Sequence, residues 1–219
     1  MGSPVKLVCF DWGGVILRHC RSWPEGCAAA NLTVRAGVDA PDYVLRRRAL
    51  TQRFQRGDIS PEAFFPALAA ANDYLYSTEE LVRIHDAWLL TEYEGIHDLL
   101  SALTQNPQVE TALLSNTNHA HWVRHLPEDN GRQPDFPAAA ILKHRHASHL
   151  MGLAKPDEAI YRAFEREVGH RGNQILFFDD LADNIAAAQR IGWRAVLIDH
   201  TGDTAAQVNL ALRANNIAV

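Results

Sequence analysis

The chain has 219 residues, with 21 Lys plus Arg against 26 Asp plus Glu, a formal net charge of -5 and a pI near 6.1. That length holds one full core or a core with a small insert, and the charge balance offers no broad basic surface for nucleic acid, so an anionic ligand must be held locally. Apolar residues make up 47%, but their longest runs are strand-sized, which leaves no segment for a bilayer span and no membrane partner.

Residues 5–10 read as a buried strand that closes on Asp11 and opens at once onto Trp12, Gly13 and Gly14. The charge at Asp11 argues against a signal peptide here. A carboxylate at the end of a buried strand is costly unless it has partners, so Asp11 reads as a nucleophile or metal ligand. Cys9 in the same run is a small core residue. Together with Cys20 and Cys27 it makes a set that cannot all pair and that lacks zinc or redox spacing, as expected in a reduced, cytoplasmic compartment.

From residue 19 to 92 no strand is predicted, but Ser60-Pro61 marks a helix start and Ser77 with Glu80 forms a capping box. This segment is expected to be an all-helical cap standing over the site, with residues 1–18 and 93–219 forming an α/β core built on a parallel sheet. Arg46, Arg47, Arg48, Arg53 and Arg56 read as the wet face of a cap helix.

Four further strands are predicted at 111–114, 138–142, 175–178 and 195–198. The first leads into Ser115-Asn116-Thr117-Asn118, followed by His119, His121 and His125, of which one is placed near substrate and the others on a helix surface. His144, His146 and His149 read as a solvated or substrate-edge loop, since a closed metal site needs more ligands and support than they supply. Gly152-Leu153-Ala154-Lys155-Pro156 precedes a helix that starts at Pro156 and Asp157, buries Ile160, Ala163, Phe164 and Val168, and stops at Gly169. The strand at 175–178 ends on Asp179-Asp180. The helix after it carries Leu181, Ile185, Ala188 and Ile191 on one face and stops at Gly192, with Asp183 and Asn184 in its first turn as either helix-start residues or supports of the site.

In a parallel sheet these strand ends converge on one edge. Asp11, Asp179 and Asp180 bring three negative charges and Lys155 one positive, a balance of minus two that a divalent cation would correct. Magnesium is the oxygen-ligated ion that usually accompanies phosphate. Ser115 offers a hydroxyl and a backbone N–H to a phosphoryl oxygen, and Asn116 a backbone N–H or a means of orienting the loop. Trp12 either walls the pocket or belongs to the core.

The set Phe10 to Val15, Leu114 to Thr117, Gly152 to Pro156 and Phe178 to Asp180 with Asn184 resembles the haloacid dehalogenase superfamily of hydrolases over nearly the whole chain. It is similar to the branch containing sugar-phosphate phosphatases and the N-terminal phosphatase domain of soluble epoxide hydrolase. The resemblance implies a Rossmann-like core, a helical cap and Mg2+. It further implies Asp11 as nucleophile, Asp180 as the main acidic metal ligand with Asp11, Asp179 and the Gly13 carbonyl, and Ser115, Asn116, Lys155, Trp12 and Gly14 around the phosphate. One departure matters: most phosphatases of the superfamily carry an acid two residues after the nucleophile, and here that position is Gly13. The expected activity is hydrolysis of a small phosphate monoester; the alternatives are a metal-independent 2-haloacid dehalogenase and a noncatalytic binding module. Oligomeric state is left open.

Overall fold

Leu7, Val8, Cys9 and Phe10 are all fully buried, and their side chains alternate between two separate apolar cores, Leu7 and Cys9 in one and Val8 and Phe10 in the other. A strand buried on both faces must lie in the middle of a covered sheet, and in the computed structural model, which describes residues 3–127, 131 and 133–219, it does. The described strands are β1 (Leu7–Phe10), β2 (Leu17–His19), β3 (Leu89–Glu92), β4 (Glu110–Ser115), β5 (His144–Ala147), β6 (Ile175–Asp179) and β7 (Arg194–Leu197). Five of them form a parallel sheet in the order β5-β4-β1-β6-β7. The chain runs outward from β1 through β4 to β5, then returns to β6 and β7 on the other side. The strand order therefore reverses beside β1, and the crevice at the C-terminal ends of β1 and β6 is where such sheets bind ligands.

The α-helices are α1 (Trp23–Ala29), α2 (Pro41–Gln55), α3 (Pro61–Ala71), α4 (Thr78–Asp86), α5 (Ile96–Thr104), α6 (His119–Trp122), α7 (Pro137–Ala140), α8 (Ser148–Met151), α9 (Glu158–Val168), α10 (Ala182–Arg190) and α11 (Thr204–Ala214). None of these is long and apolar enough to cross a membrane. Asp157 caps α9 by accepting from the Ala159 amide at 3.0 Å, so the helix starts at Glu158, two residues after Pro156, and it ends at Gly169 with φ +73°. The Ser77–Glu80 capping box is formed on α4, whereas Ser60 occupies the N-cap of α3 without a side-chain bond to the helix.

Two strand expectations need correction. Residues 138–142 are not a strand: Pro137 starts the short helix α7, the three alanines that follow favour helix, and Ile141 is the helix C-cap rather than part of a pleat. The edge strand is instead β5, whose sequence His-Arg-His-Ala is polar because an edge needs only one partner and one covered face. His144 and His146 therefore lie on a strand rather than in a loop, His144 Nε2–H donating to the Glu110 carboxylate at 2.8 Å and His146 packing its ring edge-on to Phe164. His149 is in α8. The second correction is a two-stranded antiparallel ribbon, in which β2 and β3 pair Leu17 with Glu92 and His19 with Leu89. These strands are only three and four residues long, too short to show a period.

Between the two ribbon strands, α1 to α4 pack around a third apolar cluster of their own that includes Phe54, Phe64, Phe65, Leu68, Tyr76, Leu81 and Ile84. Arg46 and Arg48 lie exposed on α2; Arg47 instead lays its guanidinium over the Trp23 ring.

Candidate active site

Asp11 stands one residue past the end of β1, its amide donating to the Phe178 carbonyl at 2.8 Å and its Oδ1 accepting from the Trp12 amide at 2.7 Å. Lys155, carried in by the loop before α9, sets Nζ 3.0 Å from Asp11 Oδ1 and 2.7 Å from Asp179 Oδ2, with its side chain 1% exposed. Asp179 is the last residue of β6. Asn184 donates to both of its carboxylate oxygens at 3.0 Å, and the Leu181 amide donates to Oδ1 at 2.8 Å. The Asn184 carbonyl is itself held by the Tyr161 hydroxyl at 3.0 Å. Asp11, Asp179 and Asp180 each offer an oxygen within 4.8 Å of the others.

Burial pushes the Asp11 carboxyl up to about 7, with Lys155 pulling it back and Asp179 and Asp180 pushing it further. Burial works against the Lys155 ammonium, but the charges of Asp11 and Asp179 outweigh it and hold its pKa above the usual lysine value. The lysine thus stays a cation at the point where three acids meet.

The remaining predicted residues divide by role. Ser115 ends β4, is buried and lines the cavity beside Asp11. Asn116 lines the cavity too, but its side chain is occupied: it donates to the Lys155 carbonyl at 2.8 Å and accepts from the Lys155 amide at 2.9 Å, which fixes the lysine loop. The Trp12 indole sits edge-on to Trp122, His125 and Phe136 in the core. Gly14 has φ +80°, and a Cβ there would lie 2.3 Å from Asp180 Oδ2. Asp183 is exposed in the first turn of α10 and has no hydrogen bond to the cluster among the described residues; of that pair only Asn184 reaches the site.

Arg21 and His19 were not legible in sequence, and the histidine trio after Ser115 sits differently from the helix surface expected of two of its members. Arg21 donates to Asp180 Oδ2 at 2.6 Å, which reduces the net charge of the cluster from minus two to minus one. The His19 ring fills the space beside Gly13, where a Cβ would come within 2.8 Å of it. His121 is buried rather than on a helix surface, stacked on His85 at 3.7 Å between centroids, and burial holds its pKa well below the usual histidine value. His125 is fully buried as well, so of that trio only His119 is exposed. The nearness of Arg21 and His19 to Asp11 in sequence is the one available signal, and it does not say where their side chains point.

The sequence matches the family profile of haloacid dehalogenase-like hydrolases over residues 5–192. A 58-residue stretch is 41% identical to Phosphatase MT3486 of Mycobacterium tuberculosis (strain CDC 1551 / Oshkosh), covering 26% of this chain and 27% of that protein. Among solved structures, a predicted HAD-like hydrolase from Porphyromonas gingivalis superposes with a TM-score of 0.74 at 23% identity, over 96% of this chain and 99% of that one. A HAD family enzyme from Bacteroides thetaiotaomicron, in complex with magnesium and inorganic phosphate, gives 0.72 at 22% identity over 91% and 96%. The 2-haloacid dehalogenase of Pseudomonas syringae pv. tomato DC3000 gives 0.52 at 18% identity over 88% and 86%. At these identities the structural likeness is one of fold. With a profile match over residues 5–192, most of its length, the chain belongs to the haloacid dehalogenase-like hydrolases.

Proposed function

We propose that this hydrolase is a magnesium-dependent phosphatase that cleaves a small phosphate monoester through an aspartyl phosphate on Asp11. The observation that carries this reading is the acidic cluster itself. Three carboxylates within 4.8 Å, offset by Lys155 and Arg21, leave a residual negative charge against which a phosphate dianion would have to approach. A hard divalent cation suits such an all-oxygen donor set. Asp179 already accepts four bonds, two at each oxygen, so Asp11, Asp180 and the Gly13 carbonyl are the groups that would hold the ion directly, with Asp179 keeping Lys155 in place. The bound ion would supply Lewis-acid neutralisation of the phosphoryl oxygens.

The chain's own groups account for the rest. An Asp11 oxygen attacks phosphorus, the ester P–O bond breaks, and the leaving alkoxide takes a proton from water, which the later attack of water on the acyl phosphate gives back. Lys155 offsets charge on the transferring group while Ser115 donates its hydroxyl to a phosphoryl oxygen. Water then cleaves the acyl phosphate, returning the Asp11 carboxylate and releasing inorganic phosphate. The phosphatase named among the sequence relatives and the magnesium–phosphate complex among the structural relatives both support this reading. In the same reading residues 19–92 act as the cap that covers the site.

The test is hydrolysis of a chromogenic aryl phosphate with and without magnesium, using Asp11→Asn as control. Activity that needs both the metal and Asp11 is expected. Halide release from 2-chloropropionate without metal would establish the dehalogenase reading instead, and silence toward both classes would leave a binding module.

A further inference from the structure

The cavity that begins at Asp11 has a volume of about 550 Å3 and changes character as it runs beneath α1 to α4. Its phosphate end is charged. Lys155 and Arg21 are the cations and Asp11 and Asp180 the carboxylates among its described lining residues, and all four are tied into the cluster by the contacts given above. Its far wall is Trp23, Phe54, Phe64, Leu68, Leu81 and Trp88. Phe54 and Phe64 stack at 4.1 Å, and the indoles of Trp23 and Trp88 stand 6.5 Å apart, tilted by 55°, so rings and branched aliphatic groups meet whatever enters.

Little there would hydrate a polar guest. Of the ring nitrogens in the wall, His19 Nδ1 is bonded to the Cys20 carbonyl at 2.9 Å and His121 Nε2 to the His85 carbonyl at 2.8 Å, while those of His85 and the Trp23 Nε1 are buried and without a hydrogen bond among the described residues. The Asn118 side chain is already bonded to the His121 amide at 3.1 Å. Thr51 is exposed and Gln55 half-buried on α2. An adjoining groove includes Arg47 and Arg48, but neither lines the chamber, and Arg47 is committed to the Trp23 face and to the Val38 carbonyl. A sugar or a second phosphate in this chamber would surrender hydrogen bonds to water without replacements. An apolar body would gain by leaving water.

We propose that the chamber receives the organic part of the substrate and that this part is apolar and bulky: the substrate class is the monophosphate ester of an aromatic or branched aliphatic alcohol. This rests on the phosphatase reading and adds to it the identity of the leaving group. Trp88 is then a specificity-determining residue.

The experiment compares kcat/KM of the magnesium-loaded enzyme for 2-phenylethyl phosphate, sn-glycerol 3-phosphate and ribose 5-phosphate. All three are primary alkyl esters, so the comparison reads the chamber more than leaving-group chemistry. Phenylethyl phosphate should be preferred on the order of 10- to 100-fold, with most of the difference in KM, since each polar group left without a partner weakens binding by about tenfold. Trp88→Ala should shrink that preference mainly through KM. Because Trp88 also packs against Gly26, a second measurement avoids any substitution in α1 to α4: titration of Asp11→Asn with 2-phenylethyl phosphate and with sn-glycerol 3-phosphate, followed by tryptophan fluorescence, should show tighter binding of the phenylethyl ester. Equal or better use of glycerol or ribose phosphate would overturn the apolar chamber and leave the phosphatase standing. Absence of hydrolysis of every ester would remove the phosphatase reading, and the binding titration would then decide the chamber alone, equal or absent binding overturning it.

Discussion

Adding a side chain at Gly13 tests whether the loop after Asp11 is shaped around His19. A Cβ built there comes 2.8 Å from His19 Cδ2 and 3.0 Å from Nε2, closer than carbon atoms pack. The Gly13 backbone is not left-handed, so crowding is the only obstacle. His19 has little freedom to retreat, because Nδ1 is bonded to the Cys20 carbonyl at 2.9 Å and the residue pairs with Leu89 in the ribbon. Overpacking a filled site costs roughly 1–3 kcal/mol, so Gly13→Ala should lower stability by about that much. His19→Ala should relieve it, giving a coupling of about 1 kcal/mol or more in a double-mutant cycle measured by urea denaturation. The same pair bears on catalysis. Gly13→Asp combined with His19→Ala puts a carboxyl where most phosphatases of the superfamily carry one, and general acid assistance is worth ~100- to 10,000-fold. The double variant should therefore hydrolyse 2-phenylethyl phosphate faster than the wild type, and faster than Gly13→Asp alone, whose carboxyl must first displace the ring. A Gly13→Ala protein as stable as the wild type, with no coupling to His19, would refute the steric argument. A folded double variant with no acceleration would show that another group already protonates the leaving oxygen.

Lys155→Met should destabilise the fold by about 3–5 kcal/mol, because it strips the cation from two buried carboxylates; Asp179→Asn in the same chain should recover part of the loss, and an unchanged urea midpoint would count against the ion-pair account. Gly14→Ala must move Asp180, since its Cβ would lie 2.3 Å from Oδ2 at φ +80°. At a hundredfold excess over Kd, magnesium should stabilise the wild type by about 2.7 kcal/mol, and a Gly14→Ala variant that gained as much in thermal melting would contradict this. His125 is held near a pKa of about 4 by burial, against the bond that Nδ1–H donates to the Trp122 carbonyl. Between its ordinary 6.5 and 4 the unfolded chain takes up a proton that the folded one refuses, so stability falls as pH falls through that window, by on the order of 3 kcal/mol in all. His125→Phe should flatten melting curves between pH 4 and 7 if that histidine is responsible.

The four motifs were readable from the chain because each obeys a local rule. A doubly covered strand must be apolar throughout, so Leu7 to Phe10 announces β1, and a charge at its end needs partners, so Asp11 announces a site. The parallel pairing of β1, β4 and β6 follows from their shared pattern and brings Asp11, Ser115 and Asp179 to one edge. Where burial is one-sided or absent the signal fades: the edge strand β5 is too polar to be seen, the Pro137 alanines mimic a buried run, and the ribbon strands are too short to show a period. The tertiary structure alone decided which side chains share space. That Asn116 holds the Lys155 backbone, that Arg21 reaches Asp180, that His19 fills the room left by Gly13, and that apolar residues of α1 to α4 line one cavity with Asp11 are facts of direction and distance. Local sequence dictates whether a residue is buried; which neighbour it is buried against depends on how elements far apart in the chain pack together.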